Sequence, residues 1–247
     1  MKGVILAGGS GTRLYPLTRI TNKHLLPIGD RPMVAYAVEA LVKAGITELM
    51  LVTGGTHAGE FLRLLGNGHE YGIDRLAYAY QEQAAGIADA LGLAERFVGD
   101  DLVAVMLADN ILEMSLRPSI ERFGSKGSGA QLLLWEEHEV NHLQSLGVAQ
   151  FGDNDEIVRI VEKPSDPPSK LAVTGIYLYD PEVFRMVHDL EPSARGELEI
   201  TDVNNFYVEA GTATYDILEG FWGDAGESID AYYAVNDFVR THGANKG

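Results

Sequence analysis

Short apolar runs alternate along the first half of the chain with stretches of helical spacing. Val4–Ala7 is a continuous apolar run that reads as a first strand, and a Gly-rich loop follows it. Helical spacing covers Pro32–Ala44, with Pro32 suited to a first turn and Gly45 to a C-terminal stop. Glu48–Thr53 reads as the next strand, Thr56–Leu65 as a helix ending at Gly66, Leu76–Tyr80 as a strand and Ile87–Phe97 as a helix. Leu102–Leu107 is another near-continuous apolar run, the mark of a strand buried on both faces. The alternation predicts an α/β fold with a mostly parallel sheet covered by helices on both sides.

The second half reads differently. Ala130–Glu136, Gly147–Phe151 and Ile157–Glu162 are short strands, the last two joined by a hairpin turn at Gly152-Asp153-Asn154-Asp155. A Pro-rich loop, Lys163–Ser169, precedes a strand at Ala172–Tyr179. Pro181–Leu190 and Asp202–Ala210 read as helices, the second capped by Thr201. A strand near Thr212–Leu218 and a helix from about Ser228 to Thr241 complete the pattern. Without repeats or linkers, residues 1–247 read as one domain with two halves, about 1–112 and 113–247.

Charge narrows the classes of partner. The chain carries 36 acidic against 19 basic residues, a formal net charge of −17. Nucleic acid and anionic membrane are therefore excluded as expected partners. Residues 1–31 run against this trend, with Lys2, Arg13, Arg19, Lys23 and Arg31 against the single acid Asp30. That local excess marks either a focused site for a small anion or a fluctuation of composition. The absence of cysteine excludes disulfides, thiolate metal sites and a thiol nucleophile, and fits a cytoplasmic location. The N-terminal apolar run is too short for a signal peptide. No stretch approaches the ~20 apolar residues of a membrane span.

The loop Leu6-Ala7-Gly8-Gly9-Ser10-Gly11-Thr12-Arg13-Leu14 directly follows the first strand. Glycines let backbone N–H groups approach phosphate oxygens, and Arg13 adds a fixed cation. A P-loop would end in Gly-Lys-Ser/Thr where this loop has Thr12-Arg13. A dinucleotide-binding fingerprint, and with it an oxidoreductase, needs a third glycine where Leu14 stands; Asp30 sits in a turn and not at a strand end. A plain strand–helix turn remains open. Lys23, ten residues after Arg13, reads either as a second phosphate contact or as a surface lysine. Asp109 and Asp224 read as metal ligands or turn caps, Glu162-Lys163 as a ligand pair or a surface ion pair, and Trp222 and Tyr177 as ligand contacts or core aromatics. The seven histidines show no metal-ligand spacing and read as incidental.

Taken in order, these segments resemble the signature of the sugar nucleotidyltransferases, most closely their thymidylyltransferase branch. The matching segments are Gly8-Gly9-Ser10-Gly11-Thr12-Arg13-Leu14-Tyr15-Pro16 with Lys23, Gln81 with Gly86–Ala90, Leu107-Ala108-Asp109-Asn110, Glu162-Lys163-Pro164, Thr174–Tyr177, Gly196–Asp202 and Trp222–Gly226. The resemblance spans nearly the whole chain. It implies a Rossmann-like three-layer α/β/α fold with added β elements over the sugar site. It also implies transfer of a nucleoside monophosphate from dTTP, with UTP as second candidate, to glucose 1-phosphate. Leu6, Gly8, Gly9, Ser10, Gly11, Thr12, Gln81 and Gly86 would bind the nucleotide. Gly147, Glu162, Lys163, Val173, Tyr177 and Arg195 would bind the sugar phosphate. Arg13, Lys23, Lys163 and Asp109 would act at the reaction centre, and Asp109 and Asp224 would hold Mg²⁺. A homo-oligomer is compatible with the resemblance.

Three departures stand out. Leu146 replaces an aromatic before Gly147-Val148, Asp89 replaces a glutamine, and Gly226-Glu227-Ser228 replaces Gly-Thr. The first two are expected to border the sugar pocket. Sister enzymes using UTP, CTP, GTP or another sugar 1-phosphate stay open, as does a non-catalytic sugar-nucleotide sensor. One helix, near Ser228–Thr241, follows the Trp222–Gly226 segment. Feedback at a second nucleotide site, which the resemblance places against further helices, is therefore expected to be weak.

Overall fold

The computed structural model describes all 247 residues. In chain order its elements are β1 (Lys2–Ala7), β2 (Pro27–Ile28), β3 (Arg31–Pro32), α1 (Met33–Lys43), β4 (Glu48–Gly54), α2 (Ala58–Leu65), β5 (Arg75–Gln81), α3 (Ile87–Gly92), α4 (Glu95–Val98), β6 (Val103–Leu107) and β7 (Asn110–Leu112). The second half adds α5 (Arg117–Lys126), β8 (Ala130–Glu136), α6 (Val140–Leu143), β9 (Gly147–Phe151), β10 (Ile157–Glu162), β11 (Leu171–Tyr179), α7 (Glu182–His188), α8 (Ile200–Glu209), β12 (Ala213–Ile217), β13 (Trp222–Asp224) and α9 (Ile229–His242).

The central sheet runs β5-β4-β1-β6-β11-β8-β12, and the hairpin β9–β10 joins the N-terminal part of β11. Within that row only β11 runs antiparallel to its neighbours. The inner strands β1 and β6 are almost wholly apolar because both of their faces are covered. Val4, Leu6, Val103 and Val105 pack on one side with Leu91 of α3, Val183 and Phe184 of α7 and Val203 of α8. Ile5, Ala7, Ala104 and Met106 pack on the other with Val34 and Leu41 of α1, Phe61 of α2 and Phe123 of α5. Each of the larger side chains among them, the alanines aside, contributes roughly 1.5–3 kcal/mol by burial. This is the expected three-layer α/β/α architecture. No helix is long and apolar enough to cross a membrane.

Several local expectations are corrected. The helix expected over Ile87–Phe97 breaks into α3 and α4, because Ala94 N–H turns back to the Leu91 carbonyl and tightens the chain between them. Thr201 is not a cap. The helix begins at Ile200, and the Thr201 hydroxyl donates instead to Glu162 Oε2 at 2.6 Å. Ser228 does cap α9, its oxygen accepting from Ala231 N–H. The short ladders β2–β3 and β7–β13 carry too little periodicity to be read in advance.

Parallel pairing aligns the strand ends that matter. Leu6 stands opposite both Val52 and Leu107, and Gly54 opposite Gln81. The Gly-rich loop, Gln81 and Asp109 therefore leave the same edge of the sheet, the carboxyl edge where open α/β sheets bind their ligands.

Candidate active site

Two cavities open along that edge. The smaller, about 280 Å³, is lined by Leu6, Gly8, Gly9, Lys23, His24, Gln81, Gly86 and Asp109. The larger, about 480 Å³, is lined by Gly147, Glu162, Lys163, Val173, Tyr177 and Arg195, with Ser145, Glu199, Thr201 and Glu227. Arg13, Ile87, Leu107, Glu197 and Asp224 line both, so the cavities meet at Arg13 and Asp224. Ser10, Gly11 and Thr12 of the loop line neither.

The β7–β13 ladder creates the meeting point. It sets Asn110 opposite Asp224, and Ala225 N–H donates to the Asp109 carbonyl at 2.9 Å. Asn110 holds the turn: its Oδ1 accepts from Gly175 N–H and Trp222 Nε1–H, while its amide donates to Asp109 Oδ1 at 3.2 Å. Gly226 is obligatory here, since a Cβ on it would lie 2.5 Å from Asp109 Oδ2 and 2.8 Å from Lys23 Nζ.

Asp109, which is buried, and Asp224 and Lys23, which are half-buried, form one charge cluster. Burial alone would raise the Asp109 carboxyl, but the Lys23 ammonium that hydrogen-bonds it, with His24 behind, holds it well below the usual carboxylate range. Asp224 is pushed up to about 7, by burial first and by the Asp109 charge second. Burial opposes the charge on Lys23, yet the two aspartates raise its pKa. One ammonium thus faces two carboxylates, with the Arg13 guanidinium a weaker influence on Asp224. A paired, buried, all-oxygen donor set of this kind suits Mg²⁺, which needs only one or two protein carboxylates. His24 corrects the reading of the histidines as incidental. It is buried and held neutral by burial, with a ring nitrogen 2.9 Å from Asn22 Oδ1 and Nε2 3.7 Å from Asp109.

In the larger cavity, Glu162 accepts from Thr201, and Arg195 lies between Glu162 and Glu199. Lys163 has φ of 44°, a left-handed backbone that a non-glycine residue adopts at a cost, and its N–H donates to the Leu146 carbonyl. Such strain at the mouth of a polar cavity is characteristic of ligand-binding positions.

The sequence profile of the nucleotidyl transferase family matches residues 2–242. The chain belongs to that family. Among curated relatives, a glucose-1-phosphate thymidylyltransferase of Neisseria meningitidis is 41% identical over 98% of this chain and 83% of its own. A low-salt glycan biosynthesis nucleotidyltransferase of Haloferax volcanii is 42% identical over 93% of this chain and 64% of its own. In structure, this nucleotidyl transferase superposes on a Bacillus anthracis protein, assigned as a glucose-1-phosphate thymidylyltransferase and bound to sucrose, with a TM-score of 0.91 and 47% identity, covering 97% and 95% of the two chains. A UDP-glucose pyrophosphorylase bound to UDP-glucose gives 0.82 and 26%, covering 97% and 98%.

Two departures take on a different meaning in the folded transferase. Asp89 lines neither cavity; it lies behind Gln81 and accepts from its amide at 2.7 Å. It does not line the larger cavity, contrary to expectation, because the first turn of α3 sets it against the C-terminal end of β5. Glu227 enters the larger cavity on an ion pair that sequence reading missed. His142 Nε2 lies 3.0 Å from Glu227 Oε2, its Nδ1 lies 2.6 Å from Glu137 Oε2, and its ring stacks on Trp222. Glu227 and Glu137 raise the imidazole to about 9 against the cost of burial. A group raised in the folded state stabilises fully below its unfolded pKa, ~6.5, and loses that contribution as pH climbs through the folded value. His142→Gln should therefore lower Tm most below about pH 6.5, with the deficit shrinking as pH approaches 9. Thermal melts of both proteins across that range test it; a deficit independent of pH would remove the ion-pair account.

Proposed function

We propose that the chain transfers a thymidylyl group from dTTP to glucose 1-phosphate, forming dTDP-glucose and pyrophosphate. The observation that carries this reading is the meeting of the two cavities at Arg13 and Asp224. One cavity carries the Gly-rich loop and an amide for a base, and the other carries hydroxyl-binding carboxylates beside a lysine. The names of the family's relatives supply the substrates. The halves 1–112 and 113–247 divide the work between nucleotide and sugar, with Arg13 and Asp224 crossing the boundary.

The reaction needs positioning and charge neutralisation more than covalent chemistry. A sugar-phosphate oxygen attacks the α-phosphorus in line, and pyrophosphate leaves on the opposite side. The phosphate monoester is already anionic, so no side chain is needed as a general base. Arg13 holds the triphosphate and offsets charge on the departing pyrophosphate. Lys23, fixed by Asp109, lies on the phosphates near the reacting centre. Lys163 holds the sugar phosphate, and Glu162, oriented by Thr201, accepts from sugar hydroxyls. Asp109 and Asp224 would hold Mg²⁺, which supplies further neutralisation of phosphate charge when bound.

Pyrophosphate release across a grid of nucleoside triphosphates and sugar 1-phosphates tests the reading. Turnover with dTTP and glucose 1-phosphate is expected, and silence across the whole grid from folded protein with Mg²⁺ would sink it. Lys163→Ala should raise KM chiefly for the sugar phosphate and Arg13→Ala chiefly for the triphosphate, because each cation faces a different anion. UTP is the second nucleotide to expect, since Gln81 faces a ring edge that thymine and uracil share. Gln81→Ala should narrow the preference for dTTP and UTP over ATP and GTP.

A further inference from the structure

Gln81 is buried at the end of β5, and its carboxamide could in principle stand either way round. Its nitrogen makes two hydrogen bonds, to Asp89 Oδ2 at 2.7 Å and to the Gly86 carbonyl at 3.1 Å. A carboxylate and a carbonyl can only accept, so both require the N–H₂ end of the amide. Turning the amide over would set its oxygen against two acceptors, one of them charged. The oxygen is thereby directed to the opposite side. It lies toward Gly8, where an added Cβ would come within 3.2 Å of it, and Gly8 and Gln81 line the smaller cavity together. No protein donor reaches that oxygen.

The segment that carries Asp89 is itself fixed. Gly86 has φ of 109°, and a Cβ there would strike the Leu198 backbone at 2.4 Å. Leu198 N–H donates to the Ala85 carbonyl and its own carbonyl accepts from Ala88, pinning the start of α3 against the Leu198 backbone. Asp89 lies one residue beyond this clamp.

We propose that Asp89 is a positioning residue that locks the Gln81 carboxamide with its oxygen toward the nucleotide, and so restricts the base to one presenting an N–H there. Resting on the nucleotidyl-transfer reading above, the lock selects the imide N–H of thymine and uracil. It rejects cytosine, whose ring nitrogen at that position is an acceptor and would face the Gln81 oxygen with no proton between them. Asp89 itself does not touch the base.

The test is the ratio of kcat/KM for dTTP to that for dCTP, with glucose 1-phosphate saturating. Asp89→Asn keeps the size of the side chain but can offer Gln81 either an oxygen or an N–H₂, so only the weaker contact to the Gly86 carbonyl still holds the amide one way round. The ratio should fall at least ~10-fold, the discrimination that about 1.4 kcal/mol supplies. The change should appear as a higher KM for dTTP and a lower one for dCTP, with kcat for dTTP and KM for the sugar phosphate near wild type. A merely structural role would weaken both nucleotides alike; an unchanged ratio overturns the proposal. A second arm needs no variant. dTTP methylated at N3 lacks the imide proton, and it should compete with dTTP at least ~10-fold more weakly than dTTP itself binds. Equal competition would mean that the Gln81 oxygen does not receive that proton, which also overturns the proposal. If wild-type protein turns over neither dTTP nor UTP with any sugar 1-phosphate, the nucleotidyl-transfer reading fails first, and the two failures are separable.

Discussion

Asp109→Asn and Asp224→Asn should each lower turnover about a hundredfold, which corresponds to ~3 kcal/mol of lost transition-state stabilisation. The two carboxylates lie far apart in sequence and are brought together by the β7–β13 ladder. Asp109 is buried and Asp224 half-buried, and burial first and the Asp109 charge second push Asp224 up to about 7. Protein folds keep such an arrangement when a cation gains from it. Asparagine preserves shape at both positions: Gly226 N–H can still donate to the Oδ1 of residue 224, and Asn110 can still reach residue 109. For Asp224→Asn the loss should therefore fall on rate, whereas Asp109→Asn also strips Lys23 of its hydrogen-bonded carboxylate and should lower stability as well. Pyrophosphate release at limiting Mg²⁺ measures it, and near-normal rates in both variants would remove the metal assignment.

Lys23→Met should cost roughly 3–5 kcal/mol of stability, the usual penalty for stripping the partner from a buried charge. Methionine keeps most of the stem's volume, so the effect is electrostatic. Without the ammonium, Asp109 and Asp224 lose the cation that hydrogen-bonds Asp109, and Arg13 remains as the weaker opposing charge. The sign with pH follows. In the wild type Asp109 is depressed, and its contribution is present above the unfolded carboxylate pKa and lost as pH falls through the folded value. In the variant the pair is raised instead, so it is costly at high pH and relieved by protonation as pH falls. The Tm deficit should therefore widen between about pH 5.5 and about pH 8. A flat deficit over that interval would mean that Lys23 serves packing alone.

The sequence by itself determined the layered α/β architecture and the order of the elements. Continuous apolar strands such as Val4–Ala7 and Leu102–Leu107 require cover on both faces, and the helices between them have one apolar stripe each. It also pointed to Arg13, Gln81, Asp109, Glu162 and Lys163, which no single segment marks but whose ordered motifs together resemble those of the family. Tertiary structure decided how those residues meet. The Asn110–Asp224 register rests on two three-residue strands about a hundred positions apart, too short for any periodicity. His142 looked incidental because its partners, Glu137 and Glu227, lie on separate segments, and Asp89 looked like part of a sugar pocket until the turn of α3 placed it behind Gln81. Hydrophobic patterning is written residue by residue along the chain. The charge of a buried group and the direction of an amide depend on neighbours that only folding assembles.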